Sequence, residues 1–321
     1  MLYVIPKCFE GFSCTASACP DTCCAGWQVD LDEEILEKYN SLPGPLGEEI
    51  RSKIKTEDGY TFFEMEHGRC PFLNEKNLCR LILEAGEDCL STTCREHPRF
   101  WEEYGDIQET CLSISCPKAM ELLFSRPFRP SVTQTDEPAA EDPDLDQELL
   151  NRLLTARDKM FQLATEDVHM TQRFHALIEY GKDVENSRDP IFYPDASIEG
   201  FLQAMTGLDF TDGRLKTRLE NARNHPPQPK RLHTLYKEYE MEAEYLLLYF
   251  LYRYILRAVW DGRVLEKVLF CVYSVRAIFY LAAANEEDIW DELPQTAILY
   301  SREVEHSPEN LDMLYGYLWW D

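Results

Sequence analysis

The chain has 321 residues, of which 45% are hydrophobic, and a formal net charge of −26. That length and apolar content can bury a large core without disulfide support. The negative charge argues against nucleic-acid binding, because phosphate recognition needs a basic surface. It either serves solubility alone or attracts a lysine-bearing protein. Residues 1–12 lack the extended apolar stretch of a secretory signal, so we expect a cytoplasmic protein.

Cysteine is concentrated near the N-terminus, where eleven of the twelve residues lie between Cys8 and Cys116. Such crowding indicates either disulfides or metal binding. The length of the chain and the expected reducing compartment favour metal binding. Three of the thiols directly precede proline, which stiffens the turn around a ligand; they are Cys19, Cys70 and Cys116.

The spacing of the cysteines leaves the metal open between iron–sulfur and zinc. No Cys-x2-Cys pair occurs, although Cys94-x2-His97 and His67-x2-Cys70 would suit mixed zinc knuckles. We expect both histidines instead to be exposed to solvent or satisfied locally. An iron–sulfur cluster needs four thiolates at looser spacing and is slightly favoured. Pro117 predicts a helix start, which would place Cys116 at a helix N-terminus that favours its thiolate.

The remaining pattern predicts a mainly α fold with two parts. Residues 1–124 form a cysteine-rich metal-binding module with short helices and small hairpins. Residues 125–147 contain four prolines and six acidic residues and are predicted to be an exposed linker. Residues 148–321 form a helical domain, because apolar residues recur at helical spacing over 148–166, 228–259 and 263–284.

Several features of the C-terminal part have a structural and a functional interpretation. The apolar run 268–284 predicts a buried helix rather than a membrane span, because arginines interrupt it and the preceding run. Cys271 within that run is predicted to be a buried, unreactive thiol. The basic segment 213–237 is expected to pair with acidic neighbours, with anion binding as the alternative. A series of tyrosines is expected in the core, with a cation-binding groove as the alternative; it comprises Tyr236, Tyr239, Tyr245, Tyr249, Tyr252 and Tyr254.

Four stretches carry a resemblance to a known family. FSCTASACPDTCCAGWQVDLD (12–32), CPFLNEKNLCRLILEAGEDCLSTTCREHPR (70–99), LSISCPKAMELL (112–123) and EAEYLLLYFLYRYILRAVWDG (242–262) resemble the flagellin lysine-N-methylase family. The Cys-Pro-Phe-Leu, Cys-Cys and His-Pro-Arg elements are also similar to a broader group of zinc- or iron-chelating proteins.

The resemblance implies methyl transfer from S-adenosylmethionine to flagellin lysines, with a cysteine-ligated iron–sulfur cluster, expected to be 4Fe-4S. It leaves Cys8, Cys89, Cys111 and Cys271 outside the metal-binding set. Since one cluster needs four thiolates, the implied set leaves room for a second metal or for structural cysteines. The implied metal set is Cys14, Cys19, Cys23, Cys24, Cys70, Cys79, Cys94 and Cys116.

Other functional details stay open at the level of sequence. No Gly-x-Gly occurs, so a doubly wound nucleotide fold is not indicated for the methyl donor, and no motif selects a general base. Clefts between domains commonly bind ligands, so we expect the reaction site between the two parts. The alternative function is a zinc- or iron-chelating redox or carrier protein without methyl-transfer activity. The third possibility is an interaction protein with a purely structural metal site.

Overall fold

A computed structural model of the chain describes residues 1–57, 59–138, 142–185, 197–211, 213–285 and 288–318. Helices make up 59% of the structure, which confirms the prediction of a mainly α protein. No helix among the described residues is long and apolar enough to cross a membrane. The strands in this part of the chain are β1 (Leu2–Pro6), β2 (Ile54–Glu57), β3 (Tyr60–Phe63), β4 (Arg99–Tyr104), β5 (Ile107–Leu112) and β6 (Pro130–Gln134).

Short helices alternate with these strands in the first third of the chain, and longer helices follow. The first group is α1 (Glu33–Ser41), α2 (Gly44–Lys53), α3 (Arg80–Ala85), α4 (Thr92–Glu96) and α5 (Pro117–Ser125). The second group is α6 (Gln147–Ala164), α7 (Met170–Glu185), α8 (Ile198–Met205), α9 (Arg214–Asn224), α10 (Pro229–Glu238), α11 (Glu240–Tyr254), α12 (Val264–Ala283), α13 (Ile289–Val304) and α14 (Pro308–Leu318).

Four strands form a mixed sheet in the order β4–β5–β1–β6. The N-terminal strand β1 lies inside this sheet, parallel to β5 with Leu2 opposite Ile107, and antiparallel to β6. Strands β4 and β5 form a hairpin, as do β2 and β3 in a separate two-stranded sheet. Small hairpins were expected in this part of the chain, whereas the central position of β1 was not.

Part of the segment predicted as an exposed linker is structured. Phe128 is buried, and β6 pairs with the full length of β1. Proline at the start of this strand is compatible with its place at the edge of the sheet. The division of the chain into domains at residues 124 and 147 stays a prediction.

The described residues contain two hydrophobic cores. The small core lies within the cysteine-rich part of the chain and is formed by Leu31, Ile35, Tyr39, Ile50, Phe63, Phe72, Leu81 and Cys89. The large core combines the four-stranded sheet and α5 with the C-terminal helices, including Val4, Phe9 and Leu123 from the first part of the chain. The first 124 residues therefore contribute to both cores.

Helix α12 lies at the centre of the large core. Nearly all of its side chains are buried, as expected for a helix that is apolar on every face, and the predicted buried helix is confirmed. Gly181 of α7 permits a close crossing, because a Cβ there would lie 3.1 Å from Val268 Cγ2. The predicted helix over 148–166 corresponds to α6.

The predicted helical stretch 228–259 is divided. Helix α10 ends before Tyr239, whose ψ of 43° departs from helical geometry, and α11 begins directly after it. The stretch then closes with a 3-10 turn, Ile255–Val259. Neither change is marked by glycine or proline, so the apolar periodicity alone did not reveal them.

A buried ion pair joins the four-stranded sheet to the helices. Arg157 of α6 donates from Nη1 and Nη2 to the two carboxylate oxygens of Glu109 on β5, at 2.7 and 2.5 Å. Both side chains are at most 6% exposed. Tyr252 of α11 supports the same junction, because its hydroxyl donates to the carbonyl of Val4 at 3.1 Å.

Replacing Glu109 by alanine is expected to lower the free energy of unfolding by about 3–5 kcal/mol, because it leaves the Arg157 charge buried without its partner. Urea unfolding monitored by circular dichroism measures this loss. Glu64→Ala is the matched control, since Glu64 pairs with Lys55 at the surface, where little change is expected. An equally small effect of both substitutions would contradict a structural role for the buried pair.

Candidate functional site

Burial divides the cysteines into two classes. All twelve are free thiols, and four of them are buried: Cys8, Cys89, Cys111 and Cys271. The burial predicted for Cys271 is confirmed. The eight that are intermediate or exposed are Cys14, Cys19, Cys23, Cys24, Cys70, Cys79, Cys94 and Cys116. These are the same eight that the family resemblance implies as the metal-binding set, and their role as ligands stays a prediction.

Backbone contacts bring Cys24, Cys70 and Cys79 together. The amide of Cys70 donates to the carbonyl of Cys24 at 2.8 Å. The amide of Leu73 donates to the carbonyl of Cys70 at 3.0 Å, and Leu73 forms an isolated bridge with Cys79. Cys79 also occupies the N-cap position directly before α3. Three thiols from two distant segments therefore lie at one edge of the small core.

Cys94 joins this group through helix capping. Ser91 caps α4 and accepts a hydrogen bond from the amide of Cys94 at 3.3 Å. The carboxylate of Asp32 accepts from the amides of Ile35 and Thr92 at 2.9 and 2.7 Å, so one side chain holds the N-termini of α1 and α4 together. This contact fixes α4, and with it Cys94, beside the small core.

The thiols of this group influence one another. The pKa of Cys70 is raised to about 12, mainly by burial. The neighbouring Cys24, Cys94 and Cys79 contribute to this rise. Burial, followed by the neighbouring Cys24 and Cys79, raises the pKa of Cys94 to about 11. Without a metal ion, Cys70 and Cys94 therefore hold their protons at neutral pH.

The adjacent pair Cys23–Cys24 behaves differently. A hydrogen bond between the two side chains stabilises the Cys24 thiolate and lowers its pKa to about 7. The same hydrogen bond, followed by burial, raises the pKa of Cys23. Cys24 is thus the most readily ionised thiol for which a shift is resolved.

A second group contains Cys14, Cys19 and Cys116. The amide of Ala16 donates to the Cys14 sulfur at 3.3 Å within the turn that leads to Cys19. Cys116 lies at the start of α5, as predicted from Pro117. Its predicted preference for the thiolate is wrong, because burial raises its pKa more than the nearby helix amides lower it, and Cys19 and Cys14 add to the rise.

The cysteine turn between Cys19 and Cys23 is fastened to the helical part of the chain. Asp21 accepts hydrogen bonds from Arg302 of α13 at 3.0 Å and from Arg214 of α9 at 3.1 Å. The Arg302 side chain is only 1% exposed. A charge placed between two candidate ligands therefore anchors this turn on α9 and α13.

Trp27 adds to the contact between the cysteine turn and the helical part of the chain. Its indole nitrogen donates to the carbonyl of Cys23 at 2.5 Å. Its ring lies edge-on to His97 and His306, with centroid separations of 5.4 and 4.9 Å, and the Arg302 guanidinium lies 5.2 Å from its centre. We call Trp27, His97, His306 and Arg302 the interface cluster.

Hydroxyl groups hold His306 in this cluster. Its Nε2 lies 2.8 Å from the Ser113 hydroxyl and 3.1 Å from the Ser115 hydroxyl, in the segment that leads from β5 to Cys116. The interface cluster therefore contacts the carbonyl of Cys23 on one side and Ser115, the neighbour of Cys116, on the other. The sequence did not single out Trp27 or His306, because their partners are distant along the chain.

Both histidines of the interface cluster are held neutral. Burial lowers the pKa of His97 to about 4, and Arg302 contributes. Burial also lowers the pKa of His306 to about 3, assisted by His97, Arg253 and Arg302. Of the two alternatives expected for His97, exposure to solvent or local contacts, the first is not observed, because the ring is partly buried and packs against Trp27 and His306.

The donor chemistry fits a thiophilic metal, although the side chains are not drawn together around a common point. Among the residues that the structure describes, no three His, Cys, Asp or Glu side chains are grouped tightly enough to hold a metal ion. Cys23 nevertheless lies close enough to Cys24, Cys94 and Cys14 for each of them to raise its pKa. Thiolate sulfur is the ligand of both iron–sulfur clusters and structural zinc, so the residues fit either group once their sulfur atoms converge.

Tyr236, Tyr249, Tyr252 and Tyr254 belong to the core, as predicted, whereas Tyr239 and Tyr245 are only partly buried against it. Tyr249 and Tyr254 donate to the buried carboxylate of Glu305 at 2.9 and 3.0 Å. Two arginines of the basic segment 213–237 pair with acidic residues, as predicted. Arg214 pairs with Asp21, and Arg218 pairs with Glu292.

The structure thus defines a helical protein with a cysteine-rich N-terminal part in which partly or fully exposed thiols lie beside a partly buried cluster of aromatic and basic side chains. Residues 140–319 match the family described as the FliB lysine N-methylase C-terminal domain. The chain belongs to this lysine N-methylase family. No solved structure is significantly similar to it.

Named relatives support the same assignment. The chain is 32% identical over 123 residues to a flagellar biosynthetic protein, FliU, of Salmonella muenchen, a match covering 36% of this chain and 73% of FliU. It is equally similar over 123 residues to a lysine-N-methylase of Salmonella typhimurium and to one of Salmonella choleraesuis. The matched segment covers only 31% of each of these two proteins.

The depressed pKa of His306 predicts a pH dependence. The folded state resists protonation of His306, whereas the unfolded chain binds the proton near pH 6.5, so stability is retained above that pH and lost as pH falls toward the folded pKa. Between pH 7 and pH 5 this group should cost at most about 2 kcal/mol. His306→Gln removes the titration, and its unfolding free energy should therefore decline less over this interval than that of the wild type.

Chemical denaturation at a series of pH values measures the difference. His175→Gln is the control, because His175 is exposed on α7 and makes no contact with the interface cluster among those described. Parallel pH profiles for the wild type and His306→Gln would contradict the burial of a neutral imidazole.

Proposed function

We propose that this protein transfers methyl groups from S-adenosylmethionine to lysine side chains of flagellin and that a cysteine-ligated iron–sulfur cluster is its resident metal group. The observation that carries the proposal is the match of residues 140–319 to the lysine N-methylase domain. The name of the FliU relative supports a flagellar substrate. We place the activity in the cytoplasm, in keeping with a reduced cysteine set.

The cysteine set supports the metal part of the proposal. The eight thiols left accessible by folding are the ones suited to bind metal, whereas the four buried thiols pack in the two cores or beside them. The cluster would be held by thiols from this accessible set and would supply redox and Lewis-acid chemistry. Zinc in the same thiols is the alternative.

The surface charge supports a lysine-bearing substrate. The net charge of −26 favours the approach of a cationic side chain, and a lysine ammonium must lose a proton before its nitrogen can attack a methyl group. Neutral His97 and His306 add no positive charge that would repel this ammonium, and the charge of Arg302 is paired with Asp21. We therefore place the reaction beside the interface cluster, where the cysteine turn meets α13.

Residues on both sides of this interface have defined tasks in the proposal. Asp21 and its two arginine partners keep the cysteine turn on the helical part of the chain. Trp27 covers His306 and excludes water from it, while Ser113 and Ser115 hold the imidazole in place. These residues position the site and are not assigned to the chemical step.

The direct test uses full-length protein purified without oxygen. Incubation with S-adenosylmethionine and the flagellin of its host is expected to increase the mass of flagellin in steps of one methylene at lysine residues. Peptide mass spectrometry identifies these sites, and calorimetry measures binding of the methyl donor. Methylation of flagellin without bound iron and sulfide would contradict the metal part alone.

Asp21→Asn provides a matched test of the interface. It removes the charge that holds Arg302 and Arg214 without altering a cysteine, so we expect metal content to persist and methyl transfer to fall about tenfold or more, as for misplaced reacting groups. Glu49→Gln is the control, because it weakens a surface pair with Arg80 far from the interface cluster along the chain. Metal-loaded protein that neither binds the donor nor modifies flagellin would instead favour the chelating-carrier alternative.

A further inference from the structure

Strand β4 lies at one edge of the four-stranded sheet, next to β5. No strand in the described part of the chain pairs with its other side. An unpaired edge presents a row of backbone N–H and C=O groups on which another extended chain can pair. The other edge of the same sheet is β6, so the two edges can be compared directly.

The hydrogen-bond pattern of the β4–β5 hairpin shows which backbone groups of β4 point outward. The amide of Ser113 donates to the carbonyl of Pro98 at 2.7 Å, and Arg99 lies opposite Leu112 in the next pair. Bonded and non-bonded pairs alternate in an antiparallel ladder, so the even-numbered residues of β4 bond to β5. The outward N–H and C=O groups therefore belong to Arg99, Trp101 and Glu103.

Strand β4 begins at the interface cluster. It follows His97 after a single proline, and the ring centroids of Phe100 and His306 lie 5.0 Å apart. The strand is also fixed on the helices, because Arg257 Nε donates to the Glu102 carboxylate at 2.9 Å. One end of this open edge therefore lies where we propose that methyl transfer takes place.

The far end of β4 is acidic. A Cβ on Gly105, in the turn after the strand, would lie 3.1 Å from Leu145 Cδ2, so the acidic segment 142–146 runs beside this turn. Trp101, which is 44% exposed, lies between this end and the interface cluster, and its ring can contact a cationic side chain. A lysine-bearing chain would meet opposite charge at this end. The exposed carboxylates there belong to Glu103, Asp106, Asp142 and Asp144.

The opposite edge of the sheet, β6, lacks these properties. The amide of Thr135 donates to the carbonyl of Met1 at 3.0 Å, so the alternation of pairs directs Pro130 and Val132 outward. Pro130 has no N–H with which to bind a further strand. Among the described contacts, β6 also touches no residue of the interface cluster.

We propose that the open edge of β4 binds an extended, lysine-bearing segment of the substrate chain as a further strand of the sheet and delivers a lysine to the interface cluster. The identity of the substrate rests on the proposed function, whereas the backbone pairing does not depend on methyl transfer. Each residue of a strand advances the chain by about 3.3 Å, so the modified lysine lies within roughly two residues of the end of the docked segment. Backbone pairing tolerates many sequences, so the position of a lysine beside the docked strand selects it for modification.

Hydrogen exchange of the unmodified, full-length protein tests the docking directly. Overlapping peptides that cover β4 and β6 are followed by mass spectrometry, with and without a saturating amount of the flagellin of its host. We expect exchange at the amides of Trp101 and Glu103 to slow about tenfold or more when flagellin binds, because these amides become hydrogen-bonded. Exchange in β6 should not change. Unaltered exchange in β4 of flagellin-bound protein would overturn the proposal, and it is the result expected if the acidic side chains only guard a free edge.

A proline substitution provides a matched test in the same full-length protein. Trp101→Pro removes an outward N–H and leaves the bonds to β5 in place, so we expect the affinity for flagellin, measured by calorimetry, to fall about tenfold. Trp101→Val keeps the N–H and should bind more tightly than Trp101→Pro, which separates the amide from the ring. Val132→Pro is the control, because it makes the same change at an outward position of β6 and should bind as the wild type does. Equal affinities of Trp101→Pro and Val132→Pro would overturn the docking.

Methyl transfer is assayed separately from binding. Protection of β4 by flagellin without any methylation would reject the proposed activity and leave the docking in place. Methylation of flagellin by Trp101→Pro at the wild-type rate, with subsaturating flagellin, would reject the docking and leave the activity in place.

Discussion

The buried ion pair between Arg157 and Glu109 determines where the rest of the site can lie. It fixes β5 against α6, and the first four residues after β5 include Ser113, Ser115 and Cys116. Burying two charges is costly, so such a pair is stable only when both partners are in place and well bonded. The ion pair therefore fixes the position of the sheet on the helices. Because Cys116 follows β5 closely in the chain, its position is fixed as well.

The cysteine turn reaches the same place from the opposite direction. Asp21 binds Arg302, and Trp27 covers His306, so two residues within the first thirty of the chain contact α13 and the turn after it. A metal that fixed this turn would alter the same contacts that hold it on the helices. Metal loading would thus be coupled to the geometry of the interface cluster through Asp21 and Trp27.

Local sequence signals predicted the features that depend on local structure. Apolar periodicity located α6 and α12, and proline located the start of α5. Strand β1 was not predicted as a central strand because its partners, Ile107 and Pro130, are more than a hundred residues away. The interface cluster was missed for the same reason, since Trp27 and His306 each satisfy no short motif. The thiolate preference predicted for Cys116 failed because burial outweighs the helix amides, and burial is a property of the fold.

Protons link the thiols and the imidazoles of the interface. Metal binding at cysteines whose pKa is raised by burial would have to displace protons, so metal affinity would fall as pH falls. Protonation of His97 and His306 is resisted in the folded state and destabilises the same interface at low pH. Both effects act in the same direction, and both act on the contact between the cysteine turn and α13. Acidification should therefore loosen the cysteine turn from the helices before it unfolds the large core, in which most of the buried side chains of α12 are apolar.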